Sequence, residues 1–121
     1  MKKRRNSKRN KLYDQIHAEM RRIAIKRHPV CVCCGGTNIL QGGHLISRRK
    51  MSTRFDLMNV FTQCKSCNGK HRYYPEIFTN WFLRQYGQEE FDYLVERSQK
   101  TKKYSIPELE ELLEKYKQIN N

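Results

Sequence analysis

The chain has 121 residues, of which 37% are hydrophobic and 31% charged, and its net charge is +13. That length leaves room for one domain with an appendage and excludes two full cores. No apolar run approaches the roughly 18–20 residues of a membrane span, and the basic start leads into no apolar segment, so a cytoplasmic protein with no membrane partner is expected.

Residues 1–11, MKKRRNSKRNK, carry seven Lys or Arg and no acid. With no apolar anchor they read as a disordered arm. A polyanion is the natural partner, because each neutralised phosphate releases condensed counterions. Lys2, Lys3, Arg4, Arg5, Lys8 and Arg9 are the expected contacts, although a solubilising tail would share this composition. Leu12, Ile16, Met20 and Ile23 then recur at helical spacing, which predicts an amphipathic helix over 12–27 inside a segment 12–29 that Pro29 closes. Arg21, Arg22, Lys26 and Arg27 give its end a basic face.

Between Val30 and about Asn68 the helical period disappears, and short apolar pieces alternate with Gly and polar residues. Two short strands, near 38–46 and 58–63, fit this pattern, with the basic loop SRRKMSTRFD between them. Two Cys-x-x-Cys pairs bracket the region, Cys31/Cys34 and Cys64/Cys67, 29 residues apart. Each two-residue gap lets both thiolates face one ion, and two such knuckles complete a closed tetrahedral site. A structural Zn2+ is therefore expected, coupled to folding of a stretch that has little core of its own. Cys33 is a spare thiol or exchanges with Cys34 as the ligand.

After Cys67, helical spacing returns. Ile77, Phe78, Trp81, Phe82 and Tyr86 form an apolar face closed by Gly87, Phe91, Leu94 and Val95 mark a short helix, and Ser105 with Glu108 forms a capping-box signature before Leu109, Leu112, Leu113 and Tyr116. The expected organisation is an arm (1–11), a helix (12–29), a zinc-bound core (30–73) and a helical extension (74–121), in the α+β class.

Within the bracketed region lie His44 in GGHLISR and Asn59 in RFDLMNVFTQC, and Asn68 follows in CKSCN. With the cysteine pairs, and with NWFLRQYGQEEFDYL further on, this order resembles the HNH, or ββα-metal, nucleases that carry a four-cysteine zinc, and more closely the phage recombination endonucleases of the NinG/Rap family. The resemblance spans about residues 12–118 and is most specific over 31–68. It implies a treble-clef-like ββα-metal core and a phosphodiester hydrolase that cuts DNA, on branched recombination intermediates of the Holliday-junction type, in a phage or prophage setting. Resolving a junction symmetrically would favour a homodimer. In this likeness His44 is the general base, Asn59 holds the loop and orients the His ring, and Asn68 binds a catalytic Mg2+ or Mn2+ through its carbonyl oxygen. Arg48, with Arg49 and Arg54 nearby, is the expected phosphate clamp.

One position departs from the family pattern. Many members place Asp immediately before the His, as a second metal ligand, whereas here that residue is Gly43. His71, three residues after Asn68, is the first substitute, with Asp56 and Glu76 behind it. His17 and His28 stand outside any motif and read as surface or capping residues. A zinc ribbon that grips nucleic acid without cutting would explain the charge and the thiolates equally well, but it leaves His44 and Asn68 without a purpose.

Overall fold

A computed structural model describes residues 7–121. The first helix, α1 (Lys8–Arg27), starts four residues before the expected one because Ser7 caps it, its hydroxyl accepting from the Asn10 N–H at 3.1 Å. Residues 8–11 of the expected arm are thus helical. They are followed by β1 (Leu40–His44), a short helix α2 (Met51–Arg54), a 3₁₀ turn (Leu57–Asn59) and β2 (Val60–Cys64). Three helices complete the chain: α3 (Lys65–Lys70), α4 (Pro75–Ser98) and α5 (Ile106–Asn120). The segment read as a basic loop therefore contains α2, whose helical turn lets Thr53, beside Phe55, be buried.

The two strands form one antiparallel ladder, from Leu40 opposite Cys64 to His44 opposite Val60. Alternation along each strand gives the hairpin two working faces. Gly42, His44, Val60 and Thr62 share the face against α1, while Gln41, Gly43, Phe61 and Gln63 share the other. Each face closes a separate core. On the first, Val60 and Phe55 join Leu12, Ile16, Met20, Ile23 and Ala24 of α1 and Leu109, Leu113 and Tyr116 of α5. On the second, Phe61 and Leu45 meet Phe78, Trp81, Phe82 and Leu94 of α4. Ile77 departs from the apolar face expected of α4; it lies at the flank of that stripe and is exposed.

Polar groups tie these layers together. Arg21 Nε donates to the Leu40 carbonyl at 2.9 Å, and Arg27 donates to the Leu57 and Val60 carbonyls at 3.0 Å, so the basic face of α1 straps the hairpin instead of facing solvent alone. Arg97 of α4 pairs with Asp56 at 2.9 Å, and the Tyr116 hydroxyl donates to the Phe55 carbonyl. The expected capping box is present, Ser105 Oγ accepting from Glu108 N at 3.2 Å and Glu108 accepting from Ser105 N at 2.8 Å. Gly87 breaks α4 internally with φ 90° and ψ 167°, at the position expected to end a helix.

Gly43 is fixed by packing. A Cβ placed there would sit 1.9 Å from Gln63 Oε1, the end of a side chain that is 1% exposed, so Gln63 would have to shift. Gly43→Ala should therefore destabilise the fold by about 1–3 kcal/mol, the usual cost of overpacking. In urea unfolding, shortening the obstructing side chain as well (Gly43→Ala with Gln63→Ala) should recover part of that loss; a Gly43→Ala protein as stable as the parent would refute the close contact.

Candidate metal centre and adjoining cleft

The first knuckle is a tight turn. Cys31 N donates to the Gly36 carbonyl and Gly35 N to the Cys31 carbonyl, both at 2.8 Å, and Gly35 adopts φ +78°, where a side chain would be strained. The second knuckle joins the last residue of β2 to the first turn of α3, with Cys67 N donating to Cys64 Sγ at 3.4 Å. The four Sγ atoms of Cys31, Cys34, Cys64 and Cys67 lie within 4.8 Å of one another, with Cys34 and Cys64 3.8 Å apart. A tetrahedral zinc with Zn–S of about 2.3 Å requires S···S edges of roughly 3.8 Å, so the donor set fits a structural zinc with no open position. Burial opposes the Cys31 thiolate, yet hydrogen bonding at the backbone of Cys64, Cys34 and Cys33 outweighs it and brings the pKa to about 7. Cys33 stands outside this gathering of four sulfurs. Its sulfur receives the Gln63 amide at 3.3 Å, and burial pushes its thiol up. Cys34, not Cys33, therefore completes the four-sulfur cluster.

Beside the cluster, between the end of β1 and α3, lies an open cleft of about 460 Å³ lined by Gly42, His44, Ser47, Arg48, Asn68, His71 and Arg72. His44 is held at one nitrogen, Nε2 lying 2.9 Å from the Arg54 carbonyl. A carbonyl only accepts, so Nε2 carries the proton and Nδ1 keeps its lone pair. Burial lowers the His44 pKa to about 4, against the raising effect of the Arg54 carbonyl and with a further push from the charges of Arg48 and Arg54. The ring is neutral at physiological pH. Asn68 donates through Nδ2 to Gln41 Oε1 at 2.8 Å, which leaves its carbonyl oxygen as a donor atom for a hard cation.

Other expected residues sit differently. Asn59, fully buried, accepts from Ile46 N at 2.7 Å and donates to the Ile46 and Thr53 carbonyls at 2.9 and 3.1 Å. It closes the loop but does not touch the His44 ring, which Arg54 holds instead, one residue beyond Thr53. His71 lines the cleft, yet its Nε2 donates to the Leu45 carbonyl at 2.9 Å and its Nδ1 is buried without a partner, so neither nitrogen is presented as a ligand. Asp56 is spent on Arg97. Among the described residues, the four cysteines form the one close gathering of His, Cys, Asp or Glu ligand atoms.

Of the expected nucleic-acid contacts, Lys2, Lys3, Arg4 and Arg5 lie outside the described residues. Arg48 reaches the cleft, and Arg49 is exposed beside it. Lys8 pairs with Glu110 at 3.1 Å, and Arg9 donates to the Tyr104 carbonyl, so both are turned toward the C-terminal helix. Arg54 lies over the Tyr13 ring at 4.6 Å and donates through Nε to His17 Nε2 at 3.3 Å; its guanidinium packs α1 rather than clamping phosphate.

Arg72 and His17 are among the residues at the site that the sequence did not single out. Arg72 lines the cleft, and its only sequence signal was its nearness to Asn68. His17, expected as a surface or capping residue, is half-buried with its ring edge-on to His44 at 5.4 Å. Its i+4 relation to Tyr13 and its place on the inner flank of α1 were the available clues. Burial first, then the charges of His44, Arg54 and Arg48, lower its pKa to about 3.

Three outcomes follow. Cys33→Ser should keep one zinc per chain by metal analysis, and Cys34→Ser should lose both zinc and cooperative melting; the reverse pattern would exchange the two assignments. A His that folds neutral binds fewer protons than its unfolded counterpart, so its contribution to stability is complete above pH 6.5 and declines as pH falls toward the folded-state value. The stability advantage of the parent over His17→Gln should therefore shrink between pH 6.5 and about 4 in parallel denaturant titrations, a comparison in which acid release of zinc is common to both proteins. A pH-independent difference would contradict the buried neutral ring.

Among the described residues no helix is long and apolar enough to cross a membrane. No curated protein and no solved structure matches the chain. The family model described as Bacteriophage Lambda NinG protein matches residues 1–120. With that match running over nearly its whole length, and with the paired cysteines drawn into one cluster, the chain belongs to the NinG family of phage lambda.

Proposed function

We propose that this protein is an HNH-type DNA endonuclease that hydrolyses phosphodiester bonds in branched recombination intermediates of a phage or prophage. One observation carries the reading: a neutral imidazole, tethered at Nε2 with its Nδ1 lone pair unspent, shares a cleft with an amide oxygen and two guanidinium groups. Hydrolysis needs a group to take a proton from water, cationic stabilisation of the phosphorane oxygens, and a path for the leaving oxygen.

His44 Nδ1 is the proton acceptor for the attacking water. The Arg54 carbonyl holds the productive tautomer, and Asn59 keeps that carbonyl in place through the neighbouring Thr53 peptide. Arg48 and Arg72 present guanidinium forks to the phosphoryl oxygens. A base with so low a proton affinity is always in its working form at neutral pH but abstracts weakly, so electrostatic stabilisation bears most of the barrier lowering. A divalent ion resting on the Asn68 carbonyl would supply Lewis-acid charge neutralisation there. Recombination intermediates as the substrate are supported by the family and by the charge of +13, a feature suited to multiple phosphate contacts.

Purified protein should nick supercoiled DNA with Mg2+ or Mn2+ and stop on addition of EDTA. His44→Ala should lower the rate about 10²–10⁴-fold, the typical contribution of a general base, while DNA binding in gel shifts is retained. For the parent, kcat/KM should stay flat from neutral pH down to about pH 5, because protonation of His44 sets in only near 4. Undiminished cutting by His44→Ala would remove the proposed base. Binding with no cleavage under any divalent ion would instead favour a zinc-ribbon module that only grips DNA.

A further inference from the structure

The chain leaves the cleft by way of two free aromatic rings. His71 and Arg72 line the cleft, and the next two residues, Tyr73 and Tyr74, are 70% and 55% exposed. Ile77, in the first turn of α4, is 49% exposed and lies beside them. The turn that carries the rings is fixed, since the N–H groups of Tyr73 and Tyr74 both donate to the Lys70 carbonyl at 2.9 Å. Tyr74 and Ile77 rim a shallow recess that has His71 as one wall, so shelf and cleft adjoin through a single side chain.

Large apolar groups gathered at one place on a surface mark an interaction site more often than chance exposure does. The company they keep identifies the partner. Exposed Lys70 and Arg72 directly precede the rings in the run KHRYY, Arg48 also lines the cleft, and no carboxylate does. An apolar protein surface would gain little from such cations. A polyanion with flat apolar faces fits both features, and in nucleic acid only unpaired bases expose those faces, because in continuous duplex they are stacked on one another.

We infer that Tyr73 and Tyr74 form a stacking shelf for unpaired bases next to the scissile phosphate, so that this protein selects DNA with unpaired bases at the cut over continuous duplex. The inference rests on the DNA-cleaving reading for the position of the phosphate; the shelf itself is tested by binding alone. Stacking on an aromatic side chain tolerates any base, so the selection is for strand structure and not for sequence.

The test uses full-length protein carrying His44→Ala, so that DNA is not consumed, with a forked oligonucleotide bearing 2-aminopurine at its unpaired junction and a continuous duplex as control. Binding should quench the fluorophore. Tyr73→Ala with Tyr74→Ala should abolish the quenching and weaken fork binding about 5- to 150-fold per lost ring, leaving duplex binding unchanged. Tyr→Phe at both positions should behave as the parent and Tyr→Leu as the alanine protein, because leucine keeps apolar area without a π face. Fork binding unaffected by alanine, or preserved by leucine, would overturn the proposal. Failure of the nuclease reading would show separately, as intact DNA with the parent while quenching persists.

Discussion

The convergence of four cysteine sulfurs is the constraint on which the rest of the structure depends. They come from a loop before the hairpin, from the end of β2 and from α3, and they draw these pieces to one point. A two-stranded hairpin is at best marginally stable alone, and α3 with six residues is too short to hold itself helical. Drawing Cys64 and Cys67 into the cluster, where an ion could be held, fixes where β2 stops and α3 begins. Asn68, the residue after Cys67, is thereby set against the end of β1 that carries His44. The cleft lies between α3, which the thiolates tie to β2, and the end of β1, which the ladder ties to the same strand.

Packing on both sides then limits what the hairpin can carry. One face is pressed against α1 and the other against α4, and each face has its own apolar cluster. Gln63 fills the space into which a side chain at position 43 would project, leaving glycine as the residue that fits beside His44. The cleft that results is lined by neutral and cationic groups, with no carboxylate among them.

Much of this was legible in the sequence because the relevant signals are local. Cysteine spacing announced the metal centre, the loss of helical period announced the hairpin, and Ser105 with Glu108 announced the start of α5. What escaped depends on tertiary neighbours. A lone histidine on a helix has no pattern, so His17 became visible only when α1 crossed the hairpin and brought its ring edge-on to His44. Arg54 read as a phosphate contact because its sequence neighbours are basic, whereas Tyr13 and His17, about forty residues earlier, claim its guanidinium. Lys8 and Arg9 likewise read as part of a free arm until Glu110 and the Tyr104 carbonyl supplied partners from the far end of the chain. Asn59 closes the loop through Ile46 and Thr53, whereas the partner of the His44 ring is the Arg54 carbonyl, a backbone group that no residue identity reveals.

The claim that this cleft hydrolyses a phosphodiester is tested most directly by running the reaction in water enriched in oxygen-18 and weighing the DNA products. Direct attack by a water that gives its proton to His44 predicts one heavy oxygen in every newly formed terminal phosphate. Termini without the label would contradict that chemistry, and so would DNA recovered intact.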